Sequence, residues 1–171
     1  GFLVGFLLIS MAHFSGDPAD GTPWISRILY GGAVLVLPAW HHQVEMSGLF
    51  GQLVGPEAAG AIMPVLGWLV WPWALGLIVA IGERCVRDRL TAFEFAAVGI
   101  LACVAPPLLA FTLFFCGMHG ARHILRSFRY SGSDSWRFVG LAALLPMLGV
   151  GLASAAAWHF LKETPLDARV V

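Results

Sequence analysis

Charged side chains are scarce in this chain of 171 residues. Aspartate, glutamate, lysine and arginine make up 12% of it, against roughly 25% in an average soluble domain. Hydrophobic residues make up 58%, and the mean hydropathy is +0.80. A fold of this size cannot hide so much apolar surface from water, so we expect lipid to be its solvent. The ten basic and ten acidic residues cancel, which leaves no basic excess to attract nucleic acid.

Several familiar signals are also missing. Cys85, Cys103 and Cys116 are widely spaced without a C-x-x-C pair, which favours small apolar fillers over metal ligands or a disulfide. There is no G-x-S-x-G, P-loop or G-x-G-x-x-G motif. Gly1 already lies in an apolar run without an initiator methionine or a charged leader. We therefore expect no signal peptide and interpret the chain as a piece of a longer membrane protein.

What the chain does contain is a series of apolar segments. They predict an all-α, polytopic transmembrane helical bundle, built as a single integral-membrane domain over residues 1–171 that is incomplete at its N-terminus. The polar C-terminal end could be a true tail or a second point of truncation. The six segments cover residues 1–14, 25–40, 58–82, 91–105, 107–126 and 138–161. Between the second and third, "HHQVEMSGLFGQLVGPE" predicts at most a short interfacial helix.

Arginine positions predict the topology of these segments. Arginines cluster in residues 83–89 and 122–137. If Pro106 and Pro107 form the turn of a helical hairpin, both loops lie on one side of the membrane. The positive-inside rule makes that side cytoplasmic, in the plasma membrane of a prokaryote. The loop at 15–24 then lies on the same side, and His41 and His42 lie on the opposite one.

Histidines are the best candidates for chemistry, because ionisable groups in membrane segments are costly. His119 and His123 stand four residues apart, a spacing that suits two ligands of one metal on one helix face. They could instead be helix-end residues that bind backbone or lipid headgroups. His13 is expected at the same depth on another helix and strengthens the metal hypothesis, although it could also be a capping residue. An all-imidazole site suits Fe, Cu, Zn or Ni.

Other polar residues are ambiguous or peripheral. His41 and His42 are expected roughly 20–30 Å away at the far interface, and His159 stands alone. Asp17 and Asp20 could orient the His13 imidazole, or they could simply form the turn in "GDPADG".

The stretch "APPLLAFTLFFCGMHGARH" resembles the Brp/Blh family of membrane β-carotene dioxygenases. That family has an "APP" turn before a helix ending in F-C-x-x-H-x-x-R-H, which matches Phe115, Cys116, His119, Arg122 and His123. The segment "LLISMAHFSGDPAD" resembles the family's I-H-F-G-x-x-D, with Ser15 shifting the spacing. "RILYGGAVLVLPAWHHQVEMSGLF" is a weaker match.

The resemblance implies a helical bundle that holds non-haem Fe(II) through four histidines, three of them His13, His119 and His123. The fourth belongs to a P-H-G-x-x-D motif that these residues do not contain. The implied reaction uses O₂ to cleave β-carotene at its central double bond into two retinal molecules, which would pass to a rhodopsin. No catalytic residue beyond the metal ligands is expected. A substrate tunnel could be lined by apolar residues that could equally be core or face lipid, namely Phe111, Phe114, Phe115 and Met118.

Two other functions compete with this one. A membrane histidine-cluster desaturase or hydroxylase would need about eight histidines, commonly in H-x-x-H-H boxes, whereas this chain has six and no such box. A carotenoid or retinal carrier without enzymatic activity would bind pigment but need no metal.

Overall fold

The computed structural model describes residues 1–130 together with Gly140, Leu144 and Leu148. Residues 1–130 contain helices and no strand, so the all-α prediction is confirmed for this part of the chain. The chain divides into two compact units, Gly1–Ala121 and Arg122–Val171. Apart from the three isolated positions, the predicted sixth segment lies outside the described residues, and so do Arg137 and His159.

The helices follow the apolar segments closely. Helix α1 spans Phe2–Phe14, α2 spans Trp24–Val36 and ends in a 3₁₀ turn at Leu37–Ala39, α3 spans Gln43–Val54, α4 spans Pro56–Arg87, α5 spans Arg89–Val104, and α6 spans Pro107–Leu113. A π-helical segment, Phe114–Gly120, follows α6 directly, and α7 spans Ala121–Tyr130. The stretch predicted to form at most a short interfacial helix forms the 12-residue helix α3.

Helix α2 lies at the centre of the first unit. Every residue from Tyr30 to Val36 is buried, and α2 contacts α1, α4, α5 and α6. The Tyr30 ring packs against Phe95 of α5 at 5.0 Å and against Phe114 at 5.8 Å, measured between centroids. Since Phe95 and Phe114 lie on opposite sides of the double proline along the chain, the chain reverses there. The hairpin that Pro106 and Pro107 predict is present.

Two adjacent glycines let α2 approach its neighbours. A Cβ on Gly31 would lie 2.5 Å from the carbonyl oxygen of Met11 and 2.6 Å from the amide nitrogen of Ser15. A Cβ on Gly32 would lie 2.3 Å from the ring of Trp73. The backbone contact at Gly31 and the indole contact at Gly32 leave no room for a methyl group. The last turn of α1 therefore packs against α2 at Gly31, and the middle of α4 packs against α2 at Gly32.

A hydrogen bond reinforces the contact with α4. The indole Nε1–H of Trp73 donates to the carbonyl of Leu29 at 2.9 Å. This bond satisfies the polar edge of a large apolar side chain inside the bundle.

Two helical stretches are long and apolar enough to cross a membrane, judged by length and composition: Pro56–Arg87 and Pro107–Phe128. Within the described part of the chain, only 22% and 17% of their most apolar windows are buried. A core helix of a soluble protein would be mostly buried, because its apolar side chains must avoid water. These exposed apolar surfaces suggest membrane association.

The junction between α4 and α5 is capped. Asp88 accepts hydrogen bonds from the hydroxyl of Thr91 at 2.6 Å and from its backbone N–H at 3.2 Å. The Thr91 hydroxyl, followed by the Thr91 N–H, lowers the pKa of the Asp88 carboxyl. The side chain thus satisfies one of the amides left without a partner at the start of α5.

We expect Gly31→Ala to destabilise the first unit by about 1–3 kcal/mol, the usual effect of overpacking a filled interior. The measurement is the free energy of unfolding of the intact protein. Gly60→Ala is the control, because a methyl there meets nothing within 4 Å; it should be neutral or gain up to about 1 kcal/mol in helix propensity. Equal stability of the two variants would contradict the close approach at Gly31.

The Asp88 cap predicts a pH dependence. Because the folded pKa is lowered, the ionised carboxylate stabilises the fold above its unfolded pKa, and this stabilisation disappears as the pH falls through the folded pKa. Asp88→Asn keeps a capping side chain but cannot titrate. Its thermal midpoint should therefore fall less than that of the unchanged protein on acidification. Parallel profiles would show that Asp88 does not contribute.

Candidate metal centre

Two histidines from distant parts of the chain meet inside the first unit. The Nε2 atoms of His13, in the last turn of α1, and His119, in the π-helical segment, lie 3.1 Å apart. Their ring centroids are 4.8 Å apart in an edge-to-face arrangement. His119 is 4% exposed, whereas His13 is exposed. The pair thus has one buried and one accessible imidazole.

Asp17 holds the other side of the buried ring. Its Oδ2 lies 2.8 Å from Nδ1 of His119, and Asp17 is only 2% exposed. A carboxylate can only accept, so the imidazole donates its Nδ1–H. In the neutral ring, the lone pair then remains on Nε2, the atom that faces His13.

The loop after α1 brings Asp17 to this position. Its amide donates to the carbonyl of Phe14 at 3.0 Å, which closes a turn directly beyond the helix. Arg27 of α2 holds the rest of the loop by donating to the carbonyls of Thr22 and Ala19, both at 3.2 Å. The loop is therefore attached to α2 as well as to α1.

The π-helical segment sets the orientation of His119. Phe114 and His119 stand five residues apart, and both are buried. In an α-helix, a separation of five residues turns a side chain by roughly 140°. A π-helix hydrogen-bonds from i to i+5 and so stacks such residues on one face. The segment points both rings towards the interior, while Phe115, Cys116 and Gly117 between them are exposed.

Aromatic rings surround the two histidines. Phe14 is 3% exposed and its centroid lies 5.0 Å from that of His119 and 5.7 Å from that of His13. Phe115 stacks on His119 at 5.4 Å and on Phe111 at 5.8 Å. These contacts exclude water from one side of the imidazole pair.

The residues predicted to line a tunnel therefore differ in their surroundings. Phe114 is fully buried and contacts Tyr30, while Phe115 is 44% exposed. Phe111 and Met118 are partly buried and pack against the main apolar core. Phe111 and Phe115 form a ring stack that ends at His119.

The remaining candidates lie elsewhere. Asp20 is exposed and faces Arg27 at 3.7 Å. His41 stacks on Trp40 at 4.8 Å, and His42 lies 3.5 Å from Glu45. His41 and His42 follow Gly31, the residue of α2 that contacts the end of α1, by about ten residues along the chain, which is roughly 15 Å of helix. His123 belongs to α7, in the second unit, and follows His119 by four residues along the chain.

The geometry of the pair suits a cation with nitrogen ligands. Two imidazole nitrogens bound to one ion at about 2.0–2.1 Å would be about 2.8–3.4 Å apart for angles between square and tetrahedral. The observed separation of 3.1 Å falls in that range. A carboxylate on the distal nitrogen is the usual partner of a metal-binding histidine.

Two features of the site have only weak signals in the sequence, and a third has none. The Gly31-Gly32 pair could have been read as a close helix approach, and Arg27 as an anchor of the polar loop. The π-helical segment has no sequence signal that we recognise, because its apolar residues are equally compatible with an α-helix.

Comparison with known proteins agrees with the resemblance seen in the sequence. The model of the β-carotene 15,15′-dioxygenase family matches residues 2–171. A β-carotene 15,15′-dioxygenase from uncultured marine bacterium 66A03 is 32% identical over 127 residues, which are 71% of this chain and 46% of the relative. The chain thus spans about half the length of that curated relative. No solved structure matches the chain significantly. The predicted family is confirmed, and the chain belongs to the β-carotene 15,15′-dioxygenase family.

Proposed function

We propose that this protein is an Fe(II)-dependent oxygenase that cleaves β-carotene at its central double bond into two retinal molecules. The observation that carries the proposal is the facing pair of Nε2 atoms on His13 and His119, with Asp17 behind the buried ring. Membership of the β-carotene 15,15′-dioxygenase family supports the substrate and the reaction.

We infer that His13, His119 and His123 provide three nitrogen ligands to the iron. The spacing of His13 and His119 fits two ligands of one ion, as described above. His123 is included because four residues along a helix return a side chain to the same face. The family resemblance implies a fourth histidine from a motif that these 171 residues do not contain.

Each residue near the pair then has a physical role. Asp17 keeps the proton of His119 on Nδ1 and leaves Nε2 available for the metal. Phe14 and Phe115 keep one side of the pair dry and offer apolar surface to a polyene. When bound, the iron supplies the activation of O₂ beside the substrate alkene. The protein contributes by placing one double bond there.

The surroundings of such a site follow from the substrate. β-Carotene is a hydrocarbon and partitions into lipid, so we propose a polytopic membrane bundle with the arginine-rich residues 83–89 and 122–137 on the cytoplasmic side. The exposed apolar helices support the membrane location. Retinal released into the bilayer would be available to a rhodopsin in the same membrane.

The direct test is His119→Ala in the intact protein, produced in β-carotene-forming cells. We expect retinal to disappear and the iron content of the purified protein to fall, because the best-oriented ligand is gone. His41→Ala is the control, since His41 is exposed and stacks on Trp40, and it should retain both. Retinal formation by His119→Ala without bound iron would overturn the proposal, and a protein that never forms retinal but retains pigment would be a carrier.

A second test separates Asp17 from Asp20. Asp17→Asn removes the carboxylate that orients His119 and should weaken iron binding about 10–100-fold, the usual effect of losing such a partner. Asp20→Asn should bind iron normally, because Asp20 faces Arg27 at the surface. Iron affinity is measured by titration of the metal-free intact protein. Equal affinities for the two variants would remove Asp17 from the site.

A further inference from the structure

An apolar cavity lies within the first unit, separate from the histidine pair. Its volume is about 320 Å³, and residues from four helices line it. The lining includes Phe6 and Leu7 of α1, Leu35 of α2, Leu49 and Leu53 of α3, and Leu108 and Phe111 of α6. Gln52 is the one lining residue with a polar side chain among those that the structure describes around this cavity.

One residue connects this cavity with the histidines. Phe111 lines the cavity, and its ring lies 6.1 Å from Phe14 and 5.8 Å from Phe115. Both of those rings contact His119. One aromatic ring, that of Phe14 or Phe115, therefore lies between Phe111 at the cavity and His119 at the candidate metal centre.

The cavity also extends away from the histidines. Along α1, Leu7 precedes His13 by six residues, which is about 9 Å of helix. The exposed apolar side chains of Phe6, Leu53 and Leu108 stand around the cavity, so an apolar molecule could enter from lipid. The volume is at the lower end of the roughly 300–1,000 Å³ of small-molecule sites. A cavity of this volume suits one part of a long hydrocarbon molecule better than the whole molecule.

We propose that this cavity receives one arm of the polyene substrate while the bond to be cleaved lies beside the histidines. Leu49 and Leu108 then act as specificity-determining residues, because they limit how far an arm can extend. The inference rests on the proposed function, and it adds a location and a direction for the substrate. A hydrocarbon arm matches a lining that is apolar except for Gln52, since no buried polar group would lose its partner.

The test fills the cavity from α3. Leu49→Trp places a large ring in the cavity, whereas Val44→Trp adds a ring on the same helix at a position that is 87% exposed and does not line it. We expect kcat/KM for β-carotene to fall about tenfold or more in Leu49→Trp, a typical effect of changing the fit of an apolar pocket. Val44→Trp should behave like the unchanged protein. Iron content should be the same in all three.

Substrate length gives a second readout. A carotenoid shortened at one end, an apocarotenal, can direct its short arm into the filled cavity and should lose less kcat/KM in Leu49→Trp than β-carotene does. Equal losses for both substrates, or no loss for either, would overturn the inference. Failure of the proposed function is distinguishable, because the unchanged protein would then form no retinal from either substrate.

A second pair of variants guards against misfolding of Leu49→Trp. Leu108 and Leu109 are adjacent in α6 and are 63% and 50% exposed, but only Leu108 lines the cavity. Substitutions at such exposed positions usually change stability by no more than about 0.5 kcal/mol. Leu108→Trp should impair β-carotene cleavage selectively, and Leu109→Trp should not. If Leu108→Trp cleaves β-carotene as well as Leu109→Trp does, the arm does not occupy this cavity.

Discussion

The contact between the end of α1 and the middle of α2 determines where the site can form. At Gly31 the backbones of the two helices approach so closely that not even a methyl group would fit. The atoms that Gly31 meets belong to Met11 and Ser15, which flank His13 in the chain. The position of the exposed imidazole is therefore set by the close backbone packing on either side of it. The loop that carries Asp17 starts from the same point.

A second constraint is the burial of Asp17 and His119 together. Their side chains are 1% and 5% exposed, and a buried carboxylate is costly unless it has partners. Each of the two groups therefore depends on the other. The aromatic rings around them strengthen the interaction by keeping water away. The apolar surroundings that the proposed hydrocarbon substrate would need thus also rigidify the polar pair at their centre.

Much of the helical layout could be predicted from hydropathy and from the double proline, because each helix needs its own apolar segment. His13 and His119 could be placed at one depth from the arginine loops, and the structure brings their Nε2 atoms together. The choice between Asp17 and Asp20 could not be made, because both stand in the same turn sequence and only the attachment of the loop by Arg27 separates them. Helix α3 could be predicted only as a short interfacial helix at most, because its glycines lower helix propensity, whereas the burial of Met46 stabilises it in the fold.

The π-helical segment has a consequence for how the protein can vary. The i→i+5 hydrogen bonding of the π-helical segment lets Phe114 and His119 both face the interior, and the residues between them include the exposed Cys116 and Gly117. The number of residues between Phe114 and His119 should therefore matter more than the identity of each intervening side chain. An insertion or deletion here would rotate His119 away from His13 without changing the sequence of the helices before it.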